Sequence, residues 1–472
     1  MPTKGKLLTY LILAISLGAC TAGRKQGLVN GLDPKLESNA NFLAIDSKPD
    51  LSVVDPLRSK LGSFFLVEHF TVQRNESMIR AIQNHQPGGI VFWNPQRADA
   101  FQVRDVVRAY SQASKEAGGK PILFSADYEG GELGFTPNGR KVPGIQRFKI
   151  GFTELAHPIW LGKSLVQENS DELCRLHAKI MAKELKSVGI NYPLTVTSDL
   201  AQRLFSVRGI STNPTEISKC LTSMMEVFAK EKDIVLVTKH FPGLGQTVGD
   251  THDQVAVSVA QTEADALRHL LPFRQLIQTV NATGSWPQYS VMASHGSFPL
   301  FDKSSITTES SIILRDLLRR ELGFKGLAVS DAMWMGNYGT LTGDRLMVTY
   351  LKAFLAGMDM LMIPGSKFAP AVTFFRSVYD NEAKAEQIAL VEEMMAKPWD
   401  EVRPQFNARI KESLANIDRV RGSLKASVDL IGASEVAPSE LTSQERSRYH
   451  ELLSRLDERW PSQLPTSLPV AR

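Results

Sequence analysis

Short apolar runs bounded by turn residues recur eight times along the chain. They are SFFLVEHF from Ser63, GGIVFWN from Gly88, PILFSAD from Pro121, GINYPLTV from Gly189, DIVLVTKHF from Asp233, YSVMASHG from Tyr289, GLAVSD from Gly326 and MDMLMIP from Met358. Most are continuously apolar rather than alternating, the pattern of strands covered on both faces in a parallel sheet. Between them, 75–85, 100–118, 311–323 and 345–357 carry apolar residues three and four apart. Each such stretch offers one apolar stripe and predicts a helix packed on the sheet. The alternation predicts an α/β fold of the (β/α)8 TIM-barrel type. A doubly wound open sheet is the alternative, but no GxGxxG turn follows the first strand. The barrel is expected over 56–400. A helical C-terminal extension and Pro-containing tail are expected over 401–472, where FNARIKESLANIDRVRGSL has the helical pattern.

The N-terminus reads differently. Lys4 and Lys6 precede an apolar stretch from Leu7 to Leu17, which ends in Leu17-Gly18-Ala19-Cys20. That run is too short to span a bilayer and fits the core of a secretory signal. The expectation is a lipoprotein signal peptide over 1–19, lipidation of Cys20 and a tether over 20–55. A plain signal peptide containing a cysteine is the alternative. Either way the protein is expected to be exported, and with Cys20 lipidated it is anchored to a membrane, by analogy the outer one. Cys174 and Cys220 remain in the body, both in segments of helical pattern, where they either pair or stay as separate buried thiols. The net charge of +4 is spread along the chain without basic runs, so nucleic acid is not an expected partner.

In a barrel of this kind the chemistry gathers where the strands run out. Those ends read Asp127, Lys239-His240, His295 and Asp331. Capping and solvation account for many single polar residues at strand ends, but four strands ending this way point to one site. Asp331 is either a rigidly held carboxylate nucleophile or a helix N-cap. The loop KHFPGLGQTVGDTHD, from Lys239 to Asp253, carries Asp250 and His252 with one residue between them. A carboxylate beside an imidazole fixes the tautomer and suits acid/base work, whereas two unrelated residues of a solvated loop would have the same spacing.

KHFPGLG, four residues, then DTH resembles the KHFPGHG-x4-DSH signature of glycoside hydrolase family 3 β-N-acetylglucosaminidases. Further segments resemble that family in the same order: SADYEGG, GINYPLTV, VRGIS, VMASH, LLRRELGFKGLAVSDAM and AGMDMLMIP, from about residue 60 to about 370. The resemblance implies a retaining exo-glycosidase that removes terminal β-linked GlcNAc through a covalent intermediate on Asp331. It implies the Asp250-His252 pair as acid/base, and Asp127, Arg208, Lys239 and His240 as groups that hold the sugar. It implies no metal and no cofactor; the partner is a carbohydrate, in an exported protein a peptidoglycan fragment. Three positions depart from the pattern: Leu244 stands where a histidine is usual, Glu132 where an arginine is, and Phe135 at a further arginine position. These departures bear on sugar contacts and substrate preference. They motivate alternatives: a glycan-binding lipoprotein scaffold with impaired catalysis, or a family 3 β-glycosidase of other specificity. A metal-dependent hydrolase using His240, His252 and Asp250 lacks an HExxH-type ligand set. If His252 were not the acid, Glu129 and Glu132 beside Asp127 would be next in line.

Overall fold

Eight parallel strands carry the fold: β1 (Phe65–His69), β2 (Gly89–Phe92), β3 (Leu123–Ala126), β4 (Leu194–Thr197), β5 (Leu236–Phe241), β6 (Tyr289–Ala293), β7 (Leu327–Ala332) and β8 (Met360–Ile363). They are ordered β3-β2-β1-β8-β7-β6-β5-β4, and a parallel bridge between Asp127 and Leu194 brings the two ends of the sheet together. The result is a nearly closed barrel, seen in a computed structural model that describes residues 55–93, 98–131, 145–146, 148, 150–431 and 436–458. The expected signal peptide, Cys20 and most of the tether lie outside the described residues, as do Glu132, Phe135 and the end of the tail.

Every strand falls within its predicted run or one residue beyond it. The largest departure is β4, which starts at Leu194 rather than Gly189. The N–H groups of Asn191 and Tyr192 both donate to Phe124 O, at 3.2 and 3.0 Å, and Asn191 Oδ1 accepts from Phe124 N–H at 3.1 Å. The Asn191 side chain thus takes the place of one ladder acceptor here, and Pro193 has no N–H to donate. This is why β3 and β4 meet through a single bridge.

Helices follow the strands in turn: α1 (Glu76–His85), α2 (Ala100–Glu116), α3 (Glu172–Ser187), α4 (Pro214–Glu231), α5 (Glu263–Thr283), α6 (Ile312–Glu321), α7 (Gly343–Ala356) and α8 (Gly365–Asp380). Asn75 caps α1 by accepting from the N–H groups of Ser77 and Met78, and Asp99 with Gln102 forms a capping box on α2. Cys174 on α3 and Cys220 on α4 form a disulfide with their Cα atoms 5.5 Å apart. That resolves the open question of the two cysteines in favour of pairing.

The C-terminal region closes the opposite end of the barrel from the site. Arg409 of α9 (Trp399–Gly422) donates to the carbonyls of Phe354, Gly357 and Met358 and to Asp359, just ahead of β8. Arg421 donates to the carbonyls of Pro87 and Gly88, just ahead of β2. A second helix, α10 (Ser443–Leu456), docks on α3, with Tyr449 Oη 3.0 Å from His177 Nδ1 and Glu445 paired to Lys179 and Lys183. This helix lies within the expected C-terminal extension, beyond the stretch whose pattern predicts a helix.

Candidate active site

The C-terminal ends of β3, β5, β6 and β7 bring the predicted polar residues into the mouth of the barrel. Lys239 and His240, joined by a cis peptide at the end of β5, both turn toward it. Lys239 Nζ lies 2.7 Å from Asp127 Oδ1 and 2.7 Å from Glu129 Oε1. Arg208 reaches the same Glu129 with two bonds, Nε to Oε2 at 2.9 Å and a terminal nitrogen to Oε1 at 2.7 Å. The planar fork of arginine matches a carboxylate in this way, and such pairs are the strong ones. Burial acts to raise the Glu129 carboxyl, yet Arg208 and Lys239 outweigh it and hold it down at about 2. Lys239 is in turn raised: burial opposes its charge, but Asp127 and Glu129 win. Glu129 is therefore an ion-pair hub, and its reading as a substitute proton donor does not survive the geometry. The loop that aims it depends on glycine. Gly130 sits at φ 95°, and a Cβ there would meet Ala156 O at 2.6 Å.

Asp331, near the end of β7, is 8% exposed. Its Oδ1 accepts from Ala332 N–H at 2.8 Å, and its Oδ2 lies 4.0 Å from His240 Nε2. Burial pushes this carboxyl up, but His240 and His295, the Ala332 N–H and Lys239 together bring it below its usual value. The N-cap alternative fails, since α7 begins only at Gly343 and is preceded by Thr342. His295, at the end of β6, has Nε2 3.0 Å from Ala332 O and Nδ1 2.7 Å from Thr308 Oγ1. Its pKa is lowered, because burial outweighs the attraction of Asp331.

One residue of the site is missing from the sequence-based set. Asp199 is fully buried just past β4 and organises the turn after β5. Its Oδ2 lies 2.7 Å from His240 Nδ1 and accepts from His240 N–H at 3.1 Å, and its Oδ1 accepts from Leu244 N–H at 2.6 Å. Fixing Nδ1 leaves Nε2 of His240 to face Asp331. The strand-end rule that singled out Asp127 and Asp331 also covers Asp199, two residues past the end of β4 at Thr197. Leu244, the departure from the histidine pattern, is buried and keeps its backbone contact with Asp199.

Asp250 and His252 do face each other. His252 Nδ1 lies 2.7 Å from Asp250 Oδ1, which also accepts from His252 N–H at 3.0 Å. Burial works to raise Asp250, but these bonds and the charge of Arg208 bring it lower. The pair is exposed, with side-chain exposures of 42% and 56%, on a loop closed by the two-residue ribbon of Thr247–Val248 with Val257–Ser258. Gly336 N–H donates to His252 O at 2.9 Å, which hooks the loop to the segment leaving β7 five residues beyond Asp331. His240 and His252 are thus committed to separate carboxylates, Asp199 and Asp250.

Comparison with known proteins bears on the family and the fold. Residues 56–393 match the model of the glycosyl hydrolase family 3 N-terminal domain. A β-hexosaminidase of Nitrosomonas eutropha is 31% identical over 252 residues, which cover 52% of this chain and 65% of that protein. A β-hexosaminidase of Idiomarina loihiensis is 28% identical over 280 residues, 58% of this chain and 76% of the relative. Among solved structures, a family 3 β-N-acetylglucosaminidase from Paenibacillus sp. str. FPU-7 superposes with a TM-score of 0.65 at 21% identity, covering 84% of this chain and 69% of that one. The β-N-acetylglucosaminidase of Thermotoga maritima gives 0.59 at 19% identity, with 79% and 69% covered. With its barrel spanned by that family model, the chain belongs to glycosyl hydrolase family 3, a family of glycoside hydrolases.

Proposed function

We propose that the protein is a retaining exo-β-N-acetylglucosaminidase acting on terminal β-linked GlcNAc of peptidoglycan fragments. The observation that carries this reading is Asp331, a buried carboxylate kept ionised at the barrel mouth beside His240, with an Asp-His pair hooked to its own strand's extension. The β-hexosaminidase relatives support the sugar class.

In this reading Asp331 attacks C1 of the bound sugar. The C1–O bond to the leaving group breaks as His252 gives its proton to the departing oxygen, and Asp331 becomes bonded to C1. His252, now neutral, takes a proton from water; the water oxygen bonds to C1, and the Asp331 carboxylate is released. Asp250 keeps the proton of Nδ1 in place and stabilises the charged imidazole. Asp127, Lys239, Arg208 and His240 hold hydroxyl groups of the sugar, with Glu129 and Asp199 setting their positions. An exposed loop suits the dyad, because it must admit and release the glycan.

The exported lipoprotein form, with a signal over 1–19, lipidated Cys20 and an outer-membrane anchor, is part of the proposal. The Cys174–Cys220 disulfide supports it, because structural disulfides persist in oxidising compartments. The test is an assay of the purified soluble body on chromogenic β-GlcNAc and β-glucoside substrates, followed by trapping with a slow fluorinated donor. The expected outcome is turnover of β-GlcNAc in preference, a label on Asp331, and loss of several powers of ten in Asp331→Asn. A label on another carboxylate would overturn the mechanism. Binding without turnover of any β-glycoside would turn the reading to a glycan-binding scaffold.

A further inference from the structure

The family model ends at residue 393, yet the C-terminal helix α10 reaches the backing of the segment that carries Asp127 and Glu129. It does so at two buried points. At the first, Tyr449 Oη accepts from Ala156 N–H at 3.2 Å and lies 3.0 Å from His177 Nδ1 on α3. Burial pushes His177 down to about 3, against the pull of the Glu129 backbone. Ala156 and His177 in turn close around Gly130, where a Cβ would lie 2.6 Å from Ala156 O and 3.1 Å from His177 Cε1. Gly131 N–H donates to Leu155 O at 2.8 Å. At the second point, Thr442, the residue before α10, makes no side-chain bond to its own helix and gives its hydroxyl to Glu184 Oε1 on α3 at 2.5 Å. Glu184 is fully buried and also accepts from Thr153 N–H at 2.8 Å and Thr153 Oγ1 at 2.5 Å. Burial pushes its carboxyl up to about 7 against those bonds. Tyr128, between Asp127 and Glu129, donates to Thr153 O at 3.3 Å, and Glu184 adds to burial in pushing its phenol up.

These contacts back a short segment with a large task. Asp127 and Glu129 together hold Lys239 Nζ, and Glu129 also holds the fork of Arg208. Tyr128 and Gly130 alternate with those two carboxylates along the chain, so a displacement at either one moves both. The bonds made by Tyr449 and Thr442 do not involve Asp331 or the Asp250-His252 pair. We propose that Tyr449 and Thr442 are positioning residues for the sugar. Through Ala156, His177, Thr153 and Glu184 they fix where Asp127 and Glu129 place Lys239 and Arg208. The C-terminal extension is then part of the frame of the binding site, and loosening it costs affinity for the sugar rather than chemistry at Asp331.

This inference rests on the proposed sugar-holding roles, so the experiment reads binding and turnover separately. Turnover of nitrophenyl β-N-acetylglucosaminide and binding of GlcNAc by calorimetry are measured on Tyr449→Phe, Thr442→Val and Thr442→Ser. Phenylalanine and valine keep the shape and lose the hydroxyl, while serine keeps the hydroxyl for Glu184. In the first two, KM and the GlcNAc dissociation constant are expected to rise roughly tenfold, since a remote misplacement of about 1 Å can cost 10²-fold. A kcat within about threefold of the parent is expected beside it, the pattern of lost uniform binding. Thr442→Ser is expected to return both constants to the parent values. Glu445→Gln weakens the docking of α10 on Lys179 and Lys183 without touching Tyr449 or Thr442. It is expected to lower the unfolding midpoint and leave KM unchanged. Lower midpoints with unchanged KM and GlcNAc affinity in the hydroxyl variants would make α10 a structural brace and overturn the proposal. Should one hydroxyl variant fail to fold, the other decides by the same readout. Absence of turnover by the unaltered protein would instead sink the glycosidase reading, and GlcNAc affinity alone would then decide this one.

Discussion

At the residue scale, what matters is which carboxylates are free to move protons. Glu129 is bound by Arg208 and Lys239 and stays ionised far below neutrality, so it cannot deliver a proton to a leaving group. Among the described residues the His252 ring is bonded to Asp250 alone, and its side chain is 56% exposed. If it is the acid, His252→Ala is expected to cut kcat/KM for a natural disaccharide by about 10²–10⁴, the usual contribution of general acid catalysis. On a nitrophenyl glycoside, whose leaving group departs with little protonation, kcat/KM should drop far less. Added azide should then raise kcat by attacking the intermediate without base assistance. Equal damage on good and poor leaving groups would remove His252 from the chemistry. The residues of this centre were unevenly legible. Asp331 and the Asp250-His252 spacing stand out because each is a polar interruption at a recognisable place. Asp199 does not, because its role lies in the turn after the next strand, β5, 41 residues on at His240. The ion pairs of Glu129 likewise join residues far apart along the chain, 79 positions in the case of Arg208.

At the scale of elements, hydrophobic runs located the eight strands because a buried parallel strand has no choice but to be apolar on both faces. They misplaced the start of β4, where the Asn191 side chain takes the place of one ladder acceptor, and they missed α10, whose exposed face is densely charged. The attachment of α9 was also illegible, since it rests on arginines whose partners are backbone carbonyls. Its strongest point is Asp359, fully buried, which accepts from Ala328 N–H, Arg319, Arg409, Ser413 and Asn416. Burial raises this carboxyl, but Arg319 and Arg409 outweigh it and bring it below its usual value. Removing one partner of such a buried cluster costs about 3–5 kcal/mol, because the remaining charge is left poorly compensated. Arg409→Met is therefore expected to lower the unfolding free energy by an amount of that order in urea titration. Because the folded pKa is depressed, the contribution of Asp359 is fully present above the ordinary carboxylate pKa and is lost as pH falls through the folded value. The gap between the two proteins should thus narrow in acid. A variant within about 0.5 kcal/mol of the parent, the range of ordinary surface substitutions, would mean the cluster is dispensable to the attachment of α9.

At the scale of the whole molecule, the two ends of the barrel have separate tasks. The C-terminal ends of the strands carry the polar network of Asp127, Lys239, His240 and Asp331, while α9 ties down the other end. Catalytic variation is thereby kept away from the parts that hold the barrel together. The disulfide ties α3 to α4 on the barrel's flank and argues for a life outside the reducing cytoplasm. In the proposed reading the exported glycosidase acts on glycan of the cell envelope, and a lipid on Cys20 would keep it beside that substrate. Thr21 rather than Asp follows the cysteine, which by analogy with lipoprotein sorting favours the outer membrane of a two-membrane cell. One acyl chain alone gives only marginal binding, so stable anchoring requires the multiple chains of a lipidated N-terminal cysteine. Cys20→Ser removes the acceptor thiol without touching the barrel. The protein is expected to move from the membrane fraction to the soluble fraction with its disulfide and its activity on a small chromogenic substrate unchanged. Retention in the membrane fraction after that substitution would mean that something other than a lipid on Cys20 holds it there, and the anchoring proposal would fall while the glycosidase reading stood.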